Sequence, residues 1–103
     1  MTKHDILNDK HIRKQIYTKA LELVSSKRWN YCCDAIAIAT DIVIGKGFFM
    51  RTSLVTACFP EFAKFEPITK IYTGFNSSIA LWWPKGDTES RIKALEQCIK
   101  ECE

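Results

Sequence analysis

The sequence has little that would loosen a chain or tie it to a special environment. Three prolines and four glycines in 103 residues leave too few breakers for a disordered or low-complexity polymer. Long apolar runs are missing as well. The longest, Ala35 to Ile44, is interrupted by Thr40 and Asp41 and falls short of the roughly 20 residues that a bilayer-spanning helix needs. The opening Met1-Thr2-Lys3-His4-Asp5 leads into charged, helix-periodic sequence with no apolar stretch of the signal-peptide kind. A cytoplasmic, reducing environment is therefore expected. There the odd number of cysteines, five, argues against a disulfide framework and for buried thiols. The Asn76-Ser77-Ser78 sequon has no glycosylation machinery to meet in that setting.

Charge of one sign is also scarce. The net charge is +3, far from the balance of a dedicated nucleic-acid binder. Its distribution runs from +4 over residues 1–28, through +1 over 29–86, to −2 over 87–103. This gradient offers weak steering toward an anionic partner.

What the sequence does have is helical periodicity. One domain of 103 residues has room for one core. From Asp5 to Lys27, residues Ile12, Ile16, Ala20, Leu23 and Val24 recur at spacings of three and four, which places them on one helix face. Lys10, Arg13, Lys14 and Lys19 fall mostly elsewhere on the wheel. Asn30 is a good N-cap for a second helix over Tyr31 to Ile44, with Gly45 and Gly47 as its stop. The β-branched Ile42-Val43-Ile44 leaves a strand over 36–44 as the competing reading.

Residues 48–66 carry an apolar stripe of Leu54, Val55, Cys58, Phe59, Phe62 and Phe65. Pro60 cannot sit inside a helix without removing an amide and clashing with the preceding turn. It fits as the first residue of a new one. A broken pair over 51–58 and 60–65 follows. Residues 68–84 are ambiguous between a short hairpin, a short helix and irregular structure, with the last two preferred because an isolated hairpin is marginal. A final helix opens at Asp87 or Thr88 and aligns Ile92, Leu95, Cys98, Ile99 and Cys102 on one face. The fold class expected is mainly α, a single small domain (1–103) of four to five helices.

No constellation carries a specific chemistry. Cys32-Cys33 in the first turn of the second helix would feel the positive end of its dipole, but burial is the commoner fate of cysteine. Cys98 and Cys102 share a helix face and could contribute to zinc only with ligands from elsewhere, such as Cys32, Cys58, His4 or His11. Both continue an apolar stripe, so core is the better reading. Paired Cys-x2-Cys knuckles are lacking. The Gly45-Lys46-Gly47 turn lacks the Lys-Ser/Thr ending of a phosphate loop. His4 and His11 have no nucleophile or orienting partner in sequence. Asp34, Asp41, Glu61 and Glu66 form no motif. No catalytic residue, metal or cofactor is assigned.

Two features are left for binding. The aromatic cluster Tyr72, Phe75, Trp82 and Trp83 is an interface candidate, because adjacent tryptophans cannot readily both enter one core, and exposed tryptophan anchors dominate many contacts. A protein partner is thus expected, foreign or a second copy in a homodimer. The alternative is a small nucleic-acid-binding protein that touches phosphates through the basic face of the first helix: Lys10, Arg13, Lys14 and the downstream Lys27 and Arg28.

The succession of Trp29-Asn30-Tyr31-Cys32-Cys33-Asp34-Ala35-Ile36, then Phe59-Pro60-Glu61-Phe62-Ala63-Lys64-Phe65-Glu66-Pro67, then Trp82-Trp83 and Arg91 opening a last helix resembles small helical accessory proteins of phages and prophages. The resemblance implies a non-catalytic role in phage–host interplay, such as inhibition of a host enzyme or defence complex. It carries no site residue with it.

Overall fold

The computed structural model describes residues 3–26, 32–45, 48, 50–51, 55–63 and 88–103. Their regular structure is entirely helical. The order is α1 (Lys3–Asn8), α2 (Lys10–Ser25), α3 (Cys32–Ile44), α4 (Val55–Cys58), α5 (Pro60–Ala63) and α6 (Thr88–Glu101). The strand alternative for 36–44 is replaced by helix. No described helix is long and apolar enough to cross a membrane.

The first expected helix divides at Asp9. This residue leaves the helical region (φ −124°, ψ 99°) and its carboxylate accepts from the amides of His11 (2.9 Å) and Ile12 (3.2 Å). A side chain that satisfies two amides of a new first turn favours restarting the helix over continuing it. α1 therefore folds back as a separate turn and a half, delivering the fully buried Ile6 to the core.

α2 is the central element and packs most extensively on α3 and α6. Its stripe of Ile16, Ala20, Leu23 and Val24 is buried as the spacing requires, and Ile12 packs at the margin. Against it lie Cys32, Ala35, Ile36 and Ala39 of α3, Leu95 and Cys98 of α6, and Cys102 just past the end of α6. The alanines of α3 allow close helix approach. Thr40, also fully buried, returns its hydroxyl to the carbonyl of Ile36 at 2.8 Å, so its polar atom costs little.

α3 ends at Gly45, whose φ of +135° is a conformation glycine adopts without penalty. Its amide donates to the Asp41 carbonyl at 2.9 Å. The Asp41 carboxylate then accepts from the Met50 amide at 2.8 Å, fastening the returning chain. α4 and α5 form the broken pair expected around Pro60. The Phe59 amide closes α4 on Val55 at 2.9 Å, and the Phe59 carbonyl opens α5 by accepting from Ala63 at 3.0 Å. Proline takes the first position of α5, where its missing amide has no partner to lose. Phe59 is fully buried, edge-on to Tyr17 with ring centroids 5.5 Å apart.

Asp9→Ala should destabilise the fold by about 1 kcal/mol, the usual value of an N-cap carboxylate, whereas Asp9→Asn should retain most of the stability. Urea unfolding followed by circular dichroism measures both; equal stability of Asp9→Ala and wild type would show that the cap is not what restarts the helix.

Candidate functional site

The expected binding residues divide into three groups. Trp82, Trp83, Tyr72 and Phe75, together with Lys27 and Arg28, lie outside the described residues, as do segment 68–84, the Asn30 cap and Glu66. Lys10 is exposed in the first turn of α2, and Lys14 is half-buried with its Nζ 3.5 Å from Glu103 Oε1. Arg13 corrects the expectation. It is 3 % exposed, pointing inward from the same helix, so it cannot belong to a solvated basic face.

Arg13 can be inside because each of its three side-chain nitrogens has a partner. Its Nε and Nη2 donate to the two carboxylate oxygens of Glu61, each at 2.8 Å. The two planar groups meet in parallel, as arginine and carboxylate do where both are desolvated. Nη1 donates to the carbonyls of Ile6, at 3.0 Å, and Leu7 at the end of α1, where the Ile6 carbonyl also accepts from the Asp9 amide at 3.3 Å. Glu61 also accepts from the Tyr17 hydroxyl at 2.9 Å. One guanidinium thus ties α1, α2 and α5 together.

The electrostatics follow from the geometry. Burial pushes the Glu61 carboxyl up, but hydrogen bonds from Arg13 and Tyr17 outweigh it and bring it down to about 2. The bond to Glu61 holds Arg13 above its ordinary value despite burial. Tyr17 is pushed far up, first by burial and then by Cys98 and Glu61 nearby. A tyrosine held neutral and a carboxylate held ionised against its counter-ion have little basicity or acidity to lend near neutral pH.

The four cysteines with described side chains keep to the core. Cys32, Cys58, Cys98 and Cys102 are buried. Burial, with nearby Cys32 and Glu101, pushes the Cys98 thiol far up. Burial and the proximity of Glu61 push Cys102 up to about 11. Cys32, at the start of α3, points its sulfur at the Arg91 carbonyl, 3.7 Å away, linking α3 to the first half of α6. Among the described residues, no group of three or more His, Cys, Asp or Glu is arranged to hold a metal ion. Asp34 is half-buried and pushed up by burial. Asp41 is engaged with Met50.

The described surface offers two open grooves beside α2. One, of about 410 Å³, lies between α2 and α3 and is lined by His11, Lys14, Gln15, Thr18, Lys19, Glu22 and Val43. The other, of similar size, lies between α2 and α6 over Leu21, Glu96, Ile99, Lys100 and Glu103. Ile42, adjacent in sequence to Val43, is 52 % exposed. The α2–α3 groove was not anticipated from the sequence. It depends on which helix lies beside the polar stripe of α2, and periodicity within one helix does not carry that.

No protein-family model matches the chain, and neither a curated protein nor a solved structure is significantly similar to it.

Removing one partner of the buried pair should cost far more than a surface change. Arg13→Ala or Glu61→Ala is expected to lose about 3–5 kcal/mol, because each leaves the other charge buried without its counter-ion. The double replacement Arg13→Met/Glu61→Leu should be much less destabilised than the sum of its singles, which a double-mutant cycle in urea measures. The same pair sets an acid limit. The folded-state pKa of Glu61 lies below its ordinary 4.5, so its contribution is complete above pH 4.5 and lost as pH falls toward about 2. Stability of the Arg13→Met/Glu61→Leu variant should decline less across that window. The buried thiols give a further prediction: native protein at neutral pH should leave Cys32, Cys58, Cys98 and Cys102 unmodified by iodoacetamide, with all four reacting in denaturant. Rapid native alkylation of any of them, located by mass spectrometry, would contradict its placement in the core.

Proposed function

We propose that the chain is a protein-binding module that modulates a partner without catalysing a reaction. The observation that carries this reading is the use made of Arg13, Glu61 and Tyr17. They are the strongest cluster of chemically capable side chains among the described residues, and they are buried and bonded to one another and to the α1 carbonyls. What the described surface presents instead are open grooves and an exposed isoleucine, which are materials for contact.

Binding of nucleic acid through the first helix is less well supported. Of its five expected basic contacts, Arg13, the strongest hydrogen-bonding cation, is buried and bonded to Glu61. A phosphate backbone gains affinity by replacing counter-ions on exposed cations, and this face has fewer to offer than its sequence suggests. The aromatic residues Trp82, Trp83, Tyr72 and Phe75 are the proposed principal contact, on the strength of their chemistry alone. Following the resemblance to phage and prophage accessory proteins, the proposed partner is a host enzyme or defence complex in the reducing cytosol.

Tagged protein should retain a partner from host lysate after nuclease treatment, and a Trp82→Ala/Trp83→Ala variant should lose it. A partner that disappears with nuclease but is kept by the tryptophan variant would overturn this reading and move the function to nucleic acid.

A further inference from the structure

We propose that the groove between α2 and α3 is a docking site for an acidic amphipathic helix of a partner protein. The inference rests on the protein-binding reading and adds to it a location and a partner chemistry.

The first argument is dimensional. His11, Gln15, Thr18 and Glu22 line the groove at successive spacings of three or four, with Lys14 beside Gln15, so they form one stripe along three turns of α2. Eleven residue steps at 1.5 Å give a trough of about 16 Å, the length of a three-turn helix. Val43 of α3 supplies the opposite wall. Much of the remaining surface is aliphatic, provided by the stems of long polar side chains, which cover apolar area while their heads stay in water. An apolar trough beside a helix pair is the setting in which an amphipathic helix docks by residues at i, i+3 or i+4, and i+7.

The second argument is charge. Lys14 and Lys19 flank the trough, and Lys10 is exposed one turn before Lys14. The pairs Lys14–Glu103 and Lys19–Glu22 are both at 3.5 Å, with side chains 38–66 % exposed. Ion pairs of this kind are weak, so a partner's carboxylates can replace them. The occupant must therefore carry acids at its flanks and apolar residues at its centre. Nucleic acid fits less well, since its evenly spaced phosphates would run past Glu22 and Glu103, and Val43 gives a phosphate backbone nothing to bond. A second copy fits less well too. Two-fold pairing of the same surface on itself would set the same excess of lysine, Lys10, Lys14 and Lys19 against Glu22 and Glu103, on both sides and would not supply further acids.

The test is a selection of helix-biased peptides from a displayed random library on the intact chain. Affinities of the enriched peptides are then measured by fluorescence anisotropy against wild type, Lys14→Glu/Lys19→Glu and Trp82→Ala/Trp83→Ala. Both altered lysines are partly exposed, and circular dichroism melting confirms that the variant remains folded. Enriched peptides should be acidic, with apolar residues three and four apart, and should bind the lysine variant at least tenfold more weakly while binding the tryptophan variant as wild type. Failure to enrich any peptide, enrichment of neutral or basic ones, or equal affinity for the lysine variant would overturn the proposal. So would sedimentation showing a wild-type dimer that the lysine variant dissociates, because the groove would then belong to a second copy. If the lysate partner binds the lysine variant unchanged, the groove assignment falls and the protein-binding reading stands.

Discussion

The bidentate contact between Arg13 and Glu61 joins residues 48 apart in sequence at 2.8 Å on both arms. The placement of the smaller helical segments follows from it. α4 and α5 are single turns, far below the length at which a helix persists by its own hydrogen bonds. α1 is little longer. None has the local means to choose its position. The guanidinium chooses for two of them, holding the carbonyl end of α1 with one nitrogen and the carboxylate of α5 with the others. Phe59 and Ile6 arrive in the core with those segments. Tyr17 supports the arrangement twice, through its hydroxyl on Glu61 and its ring edge on Phe59.

An ion pair in such a place is an expensive means of positioning. Desolvation of both charges consumes most of what their attraction returns, and an apolar pair of the same shape would often be as stable. The difference lies in specificity. Apolar side chains can slide over one another with little change in energy, but a guanidinium that must satisfy one carboxylate and two carbonyls fits in one arrangement. For a domain this small, whose core is assembled from short segments, directional bonds limit the alternative packings that aliphatic contacts alone would tolerate. The α2–α3 and α2–α6 contacts need no such device. They are longer, and their register is set by interlocking side chains along the helices.

Much of this architecture was legible because it rests on periodicity. The apolar stripes of α2 and α6, the glycine stop of α3, the break at Pro60 and the burial of Cys98 and Cys102 all follow from the spacing of residue types. The Arg13–Glu61 pair was not legible, for a physical reason. A hydropathy pattern assigns charged residues to solvent, and the partner that makes burial tolerable lies on another segment. A trace of it exists nonetheless. Arg13 stands three and four residues before Ile16 and Tyr17, on the apolar stripe itself, and Glu61 is enclosed by Phe59, Pro60 and Phe62. Charges of opposite sign, each embedded in an apolar pattern, are a signal for a buried pair, although spacing alone does not say that they meet. The division at Asp9 was missed similarly, because the periodicity of 5–27 is continuous enough to conceal an N-cap within it.

The burial of Arg13 also changes what the surface can do. Read as a wheel, the first helix offers a run of cations at 10, 13, 14 and 19. Once the helix is packed, the strongest hydrogen-bonding cation has left that run for the interior, and Lys14 and Lys19 each stand near a carboxylate. A uniform basic stripe suited to a polyanion becomes a groove with a mixed rim and an aliphatic floor. On a surface of mixed charge, complementarity depends on where charges fall rather than on how many there are. The interaction that positions α1 and α5 therefore also sets the chemistry of the outer face of α2, so core packing and surface charge cannot be assigned to separate sets of residues in this chain.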